Sequence, residues 1–335
     1  MIEVSVIILA SRPGSLRRCL RSLERASPPK PAEVLLVLNG RNEECAAVAA
    51  EFSARLSGLS VLRDAPRSLG GARNHALARA HGSWLCFLDD DVTVPPEYFS
   101  ILEEKLRIHP EAAALGGPNL TPPSSRLFER CIGHILSSPL AAGRWRRRCT
   151  GYADDTWTDD DSLILCNLCL SAQALLTEDL RFDEELVRNE ENLILQQLFR
   201  TGRRAMHAPA LFVYHERRST LRAFARQCFL SGKGRAEMTV KLPGTLALPH
   251  LLVLGPAACV VGALFFPSLF LPWAAAYAAL AVLHALWLGR RHREGPAAVW
   301  WLVWLMPAAH LSYAAGLLTG FISSLCRPRV REERC

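Results

Sequence analysis

With 335 residues, the chain has room for one large domain and a smaller second region. Half of it is hydrophobic and its mean hydropathy is +0.12, which is high for a soluble enzyme. The net charge of +7 forms no basic stripe longer than Arg144-Trp145-Arg146-Arg147-Arg148, which excludes nucleic acid as the expected partner and points to anionic membrane lipid instead.

Residues 4–9 (VSVIIL) form an unbroken, β-branched run, the pattern of a strand buried on both faces. Ala10-Ser11-Arg12-Pro13-Gly14 ends it, and Leu16, Cys19, Leu20 and Leu23 follow at helical spacing. A second buried strand over 33–38 stops at Asn39-Gly40. A helix over 46–56, a short strand over 59–62, a helix over 71–80 and a buried strand over 84–88 complete the series. This alternation predicts an α/β domain with a mainly parallel, Rossmann-like sheet flanked by helices. Ligands in such sheets bind beyond the carboxyl ends of the strands. Those ends are 10–12, 39–40 and 89–91.

Asp89, Asp90 and Asp91 close the strand over 84–88. Adjacent carboxylates raise one another's pKa unless a cation compensates them. Oxygen ligands at a strand end suit Mg²⁺ or Mn²⁺, hard ions that also engage substrate phosphates. A bare acidic triplet is as often a solvated loop. Here it is set between the buried Phe87-Leu88 and Val92-Thr93-Val94-Pro95-Pro96. A second acidic group, Asp154, Asp155, Asp159, Asp160 and Asp161, follows no buried strand and reads as an acceptor-side loop.

The string Leu69-Gly-Gly-Ala-Arg-Asn-His-Ala-Leu-Ala-Arg-Ala-His-Gly-Ser-Trp-Leu-Cys-Phe-Leu-Asp-Asp-Asp91 closely resembles the central motif of family 2 inverting glycosyltransferases, whose fold is the A-type nucleotide-diphospho-sugar transferase fold. The first two strands match as well, and so does the later stretch with Asn189-Glu-Glu-Asn-Leu-Ile-Leu195, Arg200-Thr-Gly202, Pro209 and Val213-Tyr-His215. The resemblance spans roughly residues 2–235. It implies that Asp89 and Asp91 are the outer members of the D-x-D element, with Asp90 between them, holding the nucleotide and a divalent metal. Arg73 is implied as a nucleotide-contacting residue, and Asn39 stands in the base-binding loop where the family usually has Asp. Ser11 is the expected contact in the first loop, which departs from the family pattern, and His215 is expected near the metal or diphosphate.

An inverting transfer needs a base on the acceptor hydroxyl and a charge sink for the leaving diphosphate, which the metal supplies. Glu190 and Glu191 open a helix with Leu193, Ile194 and Leu198 on its apolar stripe, a place where acidic residues are also common for purely structural reasons. They align with the family's acidic pair, whose second member is the base. Glu191 is therefore the expected base and Glu190 its neighbour in the catalytic pair.

Three apolar stretches follow, over 242–266, 269–288 and 297–326. Each is long enough to cross a bilayer as a helix. Pro267 and Pro272 mark the expected turn between the first two. Arg290, Arg291 and Arg293 form a basic loop that the positive-inside rule keeps in the cytosol. Two or three crossings fit, the last stretch being either a span or a re-entrant or interfacial segment. The division expected is a catalytic domain over 1–220, an amphipathic basic linker helix over 221–241 lying against the bilayer, a membrane region over 242–326 and a basic tail over 327–335. No signal peptide precedes the first strand, so the catalytic domain is expected in the cytoplasm, anchored to a multi-pass region in the cell membrane.

Of the eleven cysteines, only Cys166 and Cys169 form a C-x-x-C, with no second pair to complete a zinc site. Cys86, Cys166 and Cys259 read as small core or lipid-facing residues in a reducing compartment. The function expected is transfer of a sugar from a nucleoside-diphosphate sugar to a lipid-linked or envelope glycan acceptor. The alternatives are an inactive, membrane-bound scaffold or sugar-nucleotide-binding homologue, and a nucleotidyltransferase, which would want a glycine-rich loop after the first strand.

Overall fold

A computed structural model describes residues 2–326 and divides into two compact units, Met1–Arg217 and Arg218–Cys335. The expected basic tail over 327–335 lies outside the described residues.

In the first unit the chain runs β1 (Val4–Ala10), α1 (Pro13–Arg25), β2 (Glu33–Asn39), α2 (Glu43–Phe52), β3 (Leu59–Asp64), α3 (Leu69–Leu77), β4 (Trp84–Asp89), β5 (Val92–Thr93), α4 (Tyr98–Ile108), β6 (Ala112–Gly116), β7 (Asn119–Leu120) and α5 (Leu127–Leu136). The short helices α6 (Pro139–Ala142) and α7 (Arg147–Thr150) follow, then β8 (Thr156–Thr158), β9 (Asn167–Ser171), α8 (Ala172–Thr177), α9 (Glu190–Arg200), β10 (Arg204–His207) and β11 (Val213–His215). The main sheet has the order β3-β2-β1-β4-β9-β6-β10-β8. The pairs β3–β2, β2–β1 and β1–β4 are parallel, and so is β6–β10. β9 runs antiparallel to both of its neighbours, β4 and β6, and β8 runs antiparallel to β10. A small second sheet has the order β5-β11-β7.

The continuous apolar runs are explained by helices on both sheet faces. Val6, Ile8, Leu36 and Leu38 pack on one side with Leu16 and Leu20 of α1 and Phe52 of α2. The alternate residues Ile7, Leu35, Val37 and Phe87 pack on the other side with Ala72 and Ala76 of α3 and Ile194, Leu195 and Leu198 of α9. Successive strand residues point to opposite faces, so a strand covered on both has no polar positions to spare.

Helix starts differ from the sequence expectation by two or three residues, and capping accounts for it. The Asn42 side chain accepts from the Cys45 amide, so α2 begins at Glu43 rather than 46. The Ser68 hydroxyl accepts from the Gly71 amide, so α3 begins at Leu69 rather than 71.

The second unit holds α10 (Leu221–Lys241), α11 (Leu248–Leu252), α12 (Leu254–Phe265), α13 (Pro267–Arg291) and α14 (Pro296–Cys326). Three helical stretches are long and apolar enough to cross a membrane: Leu248–Phe265, Pro267–Arg291 and Pro296–Cys326. The first is shorter than the expected run over 242–266, because Pro243 and Gly244, with φ 92, separate it from α10. Pro267 opens α13 instead of sitting in a turn, and Pro272 lies inside that helix. The last stretch is one continuous helix of 31 residues, not a re-entrant hairpin.

The basic helix α10 packs along α14 rather than presenting a free amphipathic face. The contact is made by glycines. A methyl group on Gly232 would collide with the Tyr313 carbonyl oxygen, one on Gly316 with the Phe229 carbonyl oxygen, and one on Gly320 would come within 2.5 Å of the Lys233 carbonyl oxygen. Gly316 and Gly320 form a G-x-x-x-G pair, the spacing that lets two helices approach backbone to backbone. Gly316→Val should wedge α10 from α14 and cost about 1–3 kcal/mol by overpacking. Gly255→Val, at a position with open space around it, should leave the thermal midpoint in detergent unchanged.

Candidate active site

Strand register alone gathers the chemically active side chains. In the parallel β1–β4 ladder Leu9 lies opposite Asp89, so the loop after β1 and the acidic triplet emerge side by side. In the antiparallel β4–β9 ladder Leu88 lies opposite Asn167, which brings Cys166 across from Asp89. In the small sheet His215 pairs with Val92, and the Glu216 amide donates to the Asp91 carbonyl at 3.0 Å. Three segments far apart in sequence therefore meet at the end of β4.

The three aspartates are compensated in different ways. Asp90 is buried, and its Oδ2 accepts from the Ser11 amide at 2.6 Å, the Ser11 hydroxyl at 2.8 Å and the Arg12 amide at 2.8 Å. Its Oδ1 takes Arg12 Nε at 3.1 Å and Nη2 at 2.5 Å. Asp90 thus holds the β1–α1 loop, and both it and Ser11 act on that loop's position. The same guanidinium reaches Asp91 Oδ2 through Nη1 at 2.5 Å, and His215 Nε2 lies 3.1 Å from Asp91 Oδ1. Burial alone would raise the Asp91 pKa, but His215 and Arg12 outweigh it and hold the carboxyl well below its usual value. At Asp89 burial wins, reinforced by Asp91, and the pKa is raised against the pull of His215, Arg73 and Arg188.

The glutamate pair lies at the start of α9, behind Asn189, which adopts a left-handed conformation with φ 67. Arg73 donates to Glu190 Oε1 at 2.5 Å, and the two side chains are only 8% and 4% exposed. The guanidinium also sits 5.8 Å above the Phe182 ring. Burial raises the Glu190 pKa, opposed chiefly by Arg73. Arg73 and Arg188 pull on both Asp89 and Glu190, which puts the acidic triplet and the glutamate pair in one electrostatic field. Glu191 is buried, and among the described residues no hydrogen bond or ion pair engages its carboxylate. Of the pair, Glu190 is tied down and Glu191 is the carboxylate left available.

Asn39 is committed to the backbone: its Nδ2 donates to the Arg67 carbonyl and its Oδ1 accepts from the Arg67 amide, each at 2.8 Å. It closes the loop between β3 and α3. The second acidic group is likewise occupied. Asp155 pairs with Lys105 at 2.9 Å and His109 at 3.2 Å, and Asp159 and Asp161 pair with Arg144. Asp160 accepts from Asn192 at 2.9 Å and Gln196 at 2.6 Å, so this loop anchors the helix that carries Glu191.

Two residues gain a role that the sequence reading did not assign them. Arg12, noted only as part of an atypical loop, supplies the guanidinium between Asp90 and Asp91. Its signal was a cation at one buried strand end in a chain with three acids at another. Cys166, read as apolar filler, has its sulfur 3.7 Å from His215 Nδ1. Burial, then Asp89 and Asp91, pushes its thiol pKa well up. Ligand atoms of Asp89, Cys166 and His215 all lie within 4.8 Å of one another. Carboxylate, imidazole and thiol clustered around an uncompensated carboxyl fit a divalent cation.

A mainly parallel sheet with an acidic triplet ending its fourth strand defines a glycosyltransferase of the A-type fold. Residues 5–169 match the model of Glycosyl transferase family 2. Solved structures agree on the fold. The mannosyltransferase PcManGT from Pyrobaculum calidifontis, in complex with GDP-Man and Mn²⁺, aligns at TM-score 0.59 and 17% identity over 95% of this chain and 87% of its own. TarS residues 1–349 from S. aureus align at TM-score 0.54 and 14% identity over 95% of this chain and 91% of theirs. The same fragment is also known in complex with UDP.

Arg73→Ala should strand a buried, unpaired Glu190 and cost about 3–5 kcal/mol in denaturant unfolding. The double change Arg73→Met with Glu190→Leu should recover most of that loss, because it removes both charges together.

Proposed function

We propose that this glycosyltransferase is metal-dependent and inverting, and moves a sugar from a nucleoside-diphosphate sugar to a lipid-linked or envelope glycan. The observation that carries this reading is the pairing of a largely buried acid–histidine cluster at Asp89, Asp91 and His215 with an acidic pair in the same electrostatic field, of which only Glu191 is uncommitted. Asp89, Asp91 and His215 would hold Mn²⁺ or Mg²⁺, which would supply Lewis-acid neutralisation of the departing diphosphate. Ser11, Asn39 and Asp90 shape the loops that receive the nucleotide, and Arg73 orients Glu190 beside it. Glu191 takes the proton from the acceptor hydroxyl as its oxygen bonds to the sugar's anomeric carbon. The bond from that carbon to the diphosphate breaks on the opposite face, and the leaving group keeps the electron pair. The metal and nucleotide in the Pyrobaculum enzyme's complex support the donor half of the scheme.

The reading includes a multi-pass protein of the cell membrane with its catalytic unit on the cytoplasmic side; the three long apolar helices of the second unit support the first part, and the basic loop at Arg290, Arg291 and Arg293 supports the second through the positive-inside rule. A second reading, a homologue that binds sugar nucleotide without turning it over, draws on the Arg12 clamp, whose one guanidinium already pairs with both Asp90 and Asp91.

Thermal shift in detergent with UDP-, GDP- and dTDP-sugars, with and without Mn²⁺, separates the readings. Ligand binding to the native state raises apparent stability by mass action. A metal-dependent shift with one donor is expected, and Asp91→Ala should lose it. Glu191→Gln should keep the shift while turnover falls by about 10²-fold or more. Equal loss of binding in Glu191→Gln would show that Glu191 is not the base, and binding without turnover in the unaltered chain would favour the second reading.

A further inference from the structure

We infer that a cleft on the flank of the first unit, walled by Arg21, Arg25 and Arg126, binds a phosphate group and seats the phosphate of the acceptor beside the donor site. Its part in transfer rests on the reading above; its affinity for phosphate does not.

The cleft has a volume of about 710 Å³, enough for a small ligand or for the end of a larger one. All the residues that line it belong to the first unit. Helix α1 supplies Arg18, Arg21 and Arg25. Their spacing of three and four residues puts them on one face of the helix, while Leu16, Cys19, Leu20 and Leu23 turn another face into the core. Arginines along one helix would by themselves make only a solvated face. Here Arg126, which precedes α5 and lies far along the chain, lines the same cleft and gives it a second basic wall.

The lining holds five arginines and two glutamates, and both acids are already engaged. Glu216 accepts from Arg18 Nε at 2.6 Å and from the Ser15 hydroxyl at 2.9 Å. Glu129 accepts from the Arg126 amide at 2.9 Å. Arg217 is held by Asn119 and Thr121. Among the described residues, no hydrogen bond or ion pair engages the guanidinium groups of Arg21, Arg25 or Arg126. Three unpaired cations around one concavity favour a multiply charged anion. The paired N–H groups of a guanidinium match the oxygens of phosphate.

The position of the cleft says which substrate it serves. Thr93 lines it, and the preceding residue, Val92, pairs with His215. Glu216 lines it too, and its amide donates to the Asp91 carbonyl. The cleft therefore borders the catalytic centre, yet none of the three aspartates lines it. The diphosphate of the donor belongs at the acidic triplet with its metal, so a second phosphate beside it comes from the other substrate.

Calorimetric titration of pyrophosphate into the full chain in detergent, without divalent metal, tests the site, because the acidic triplet repels a diphosphate when no ion bridges them. One binding event is expected, weakening as salt is raised. Combining Arg21→Gln, Arg25→Gln and Arg126→Gln, all at exposed positions, should weaken it about tenfold or more and leave the Mn²⁺-dependent donor shift in place. A second titration compares farnesyl phosphate with farnesol in the same detergent. Tighter binding of the phosphate, lost in the triple variant, supports a lipid-borne acceptor phosphate. Pyrophosphate binding without that preference makes the ligand a free phosphate and overturns the acceptor role. No pyrophosphate bound by folded, unaltered protein, or undiminished binding in the triple variant, overturns the inference, and a donor shift in the same protein leaves the transferase reading standing. Binding of both probes with no donor shift upholds the cleft and overturns the transferase reading instead.

Discussion

Three successive carboxylates at the end of a buried strand set the terms for the catalytic unit. At close range and low dielectric, like charges repel strongly, so each aspartate must find its own cation or give up its charge. Asp90 fixes the loop after β1 through Ser11 and Arg12, Asp91 recruits the same arginine and His215, and Asp89 is left with a raised pKa. The conformation of the first loop and the approach of β11 to β5 both answer this demand. The atypical Ser11-Arg12 sequence is thereby explained: without the arginine, Asp90 and Asp91 would share one buried corner uncompensated.

A similar division of labour separates the two glutamates. Arg73 spends its charge on Glu190, and Phe182 covers that arginine. Helix α9 is clamped from its other side by Asp160 through Asn192 and Gln196. Both supports act on neighbours of Glu191 and leave its own carboxylate untouched, the condition a proton acceptor requires.

The second unit is organised by backbone proximity rather than by charge. Glycines on α10 and α14 bring the two helices together closely enough that charged residues of α10, such as Arg235 and Glu237, are buried within the unit. An amphipathic pattern seen along the chain therefore marks a packing face here, because small residues at i and i+4 outweigh the polar stripe between them.

The order of strands and helices as far as β4, the burial of β1, β2 and β4, the acidic triplet and the glutamate pair were all legible in the sequence. Each rests on local periodicity or on a motif contiguous in the chain. Helix starts were off by a few residues because single side-chain caps at Asn42 and Ser68 decide them. The partners of the site residues were not legible. That Asn39 bonds to Arg67, that Arg73 belongs to Glu190, and that Cys166 stands opposite Asp89 depend on loop closure and on the reversed strand β9, whose direction no residue pattern announces. By itself the sequence determined the fold class and the list of reactive groups, which follow from periodicity and spacing, while its motifs carried a resemblance to the family. Only the tertiary structure decided which group neutralises which, because contacts between residues about eighty to more than a hundred positions apart are set by strand register and not by the residues themselves.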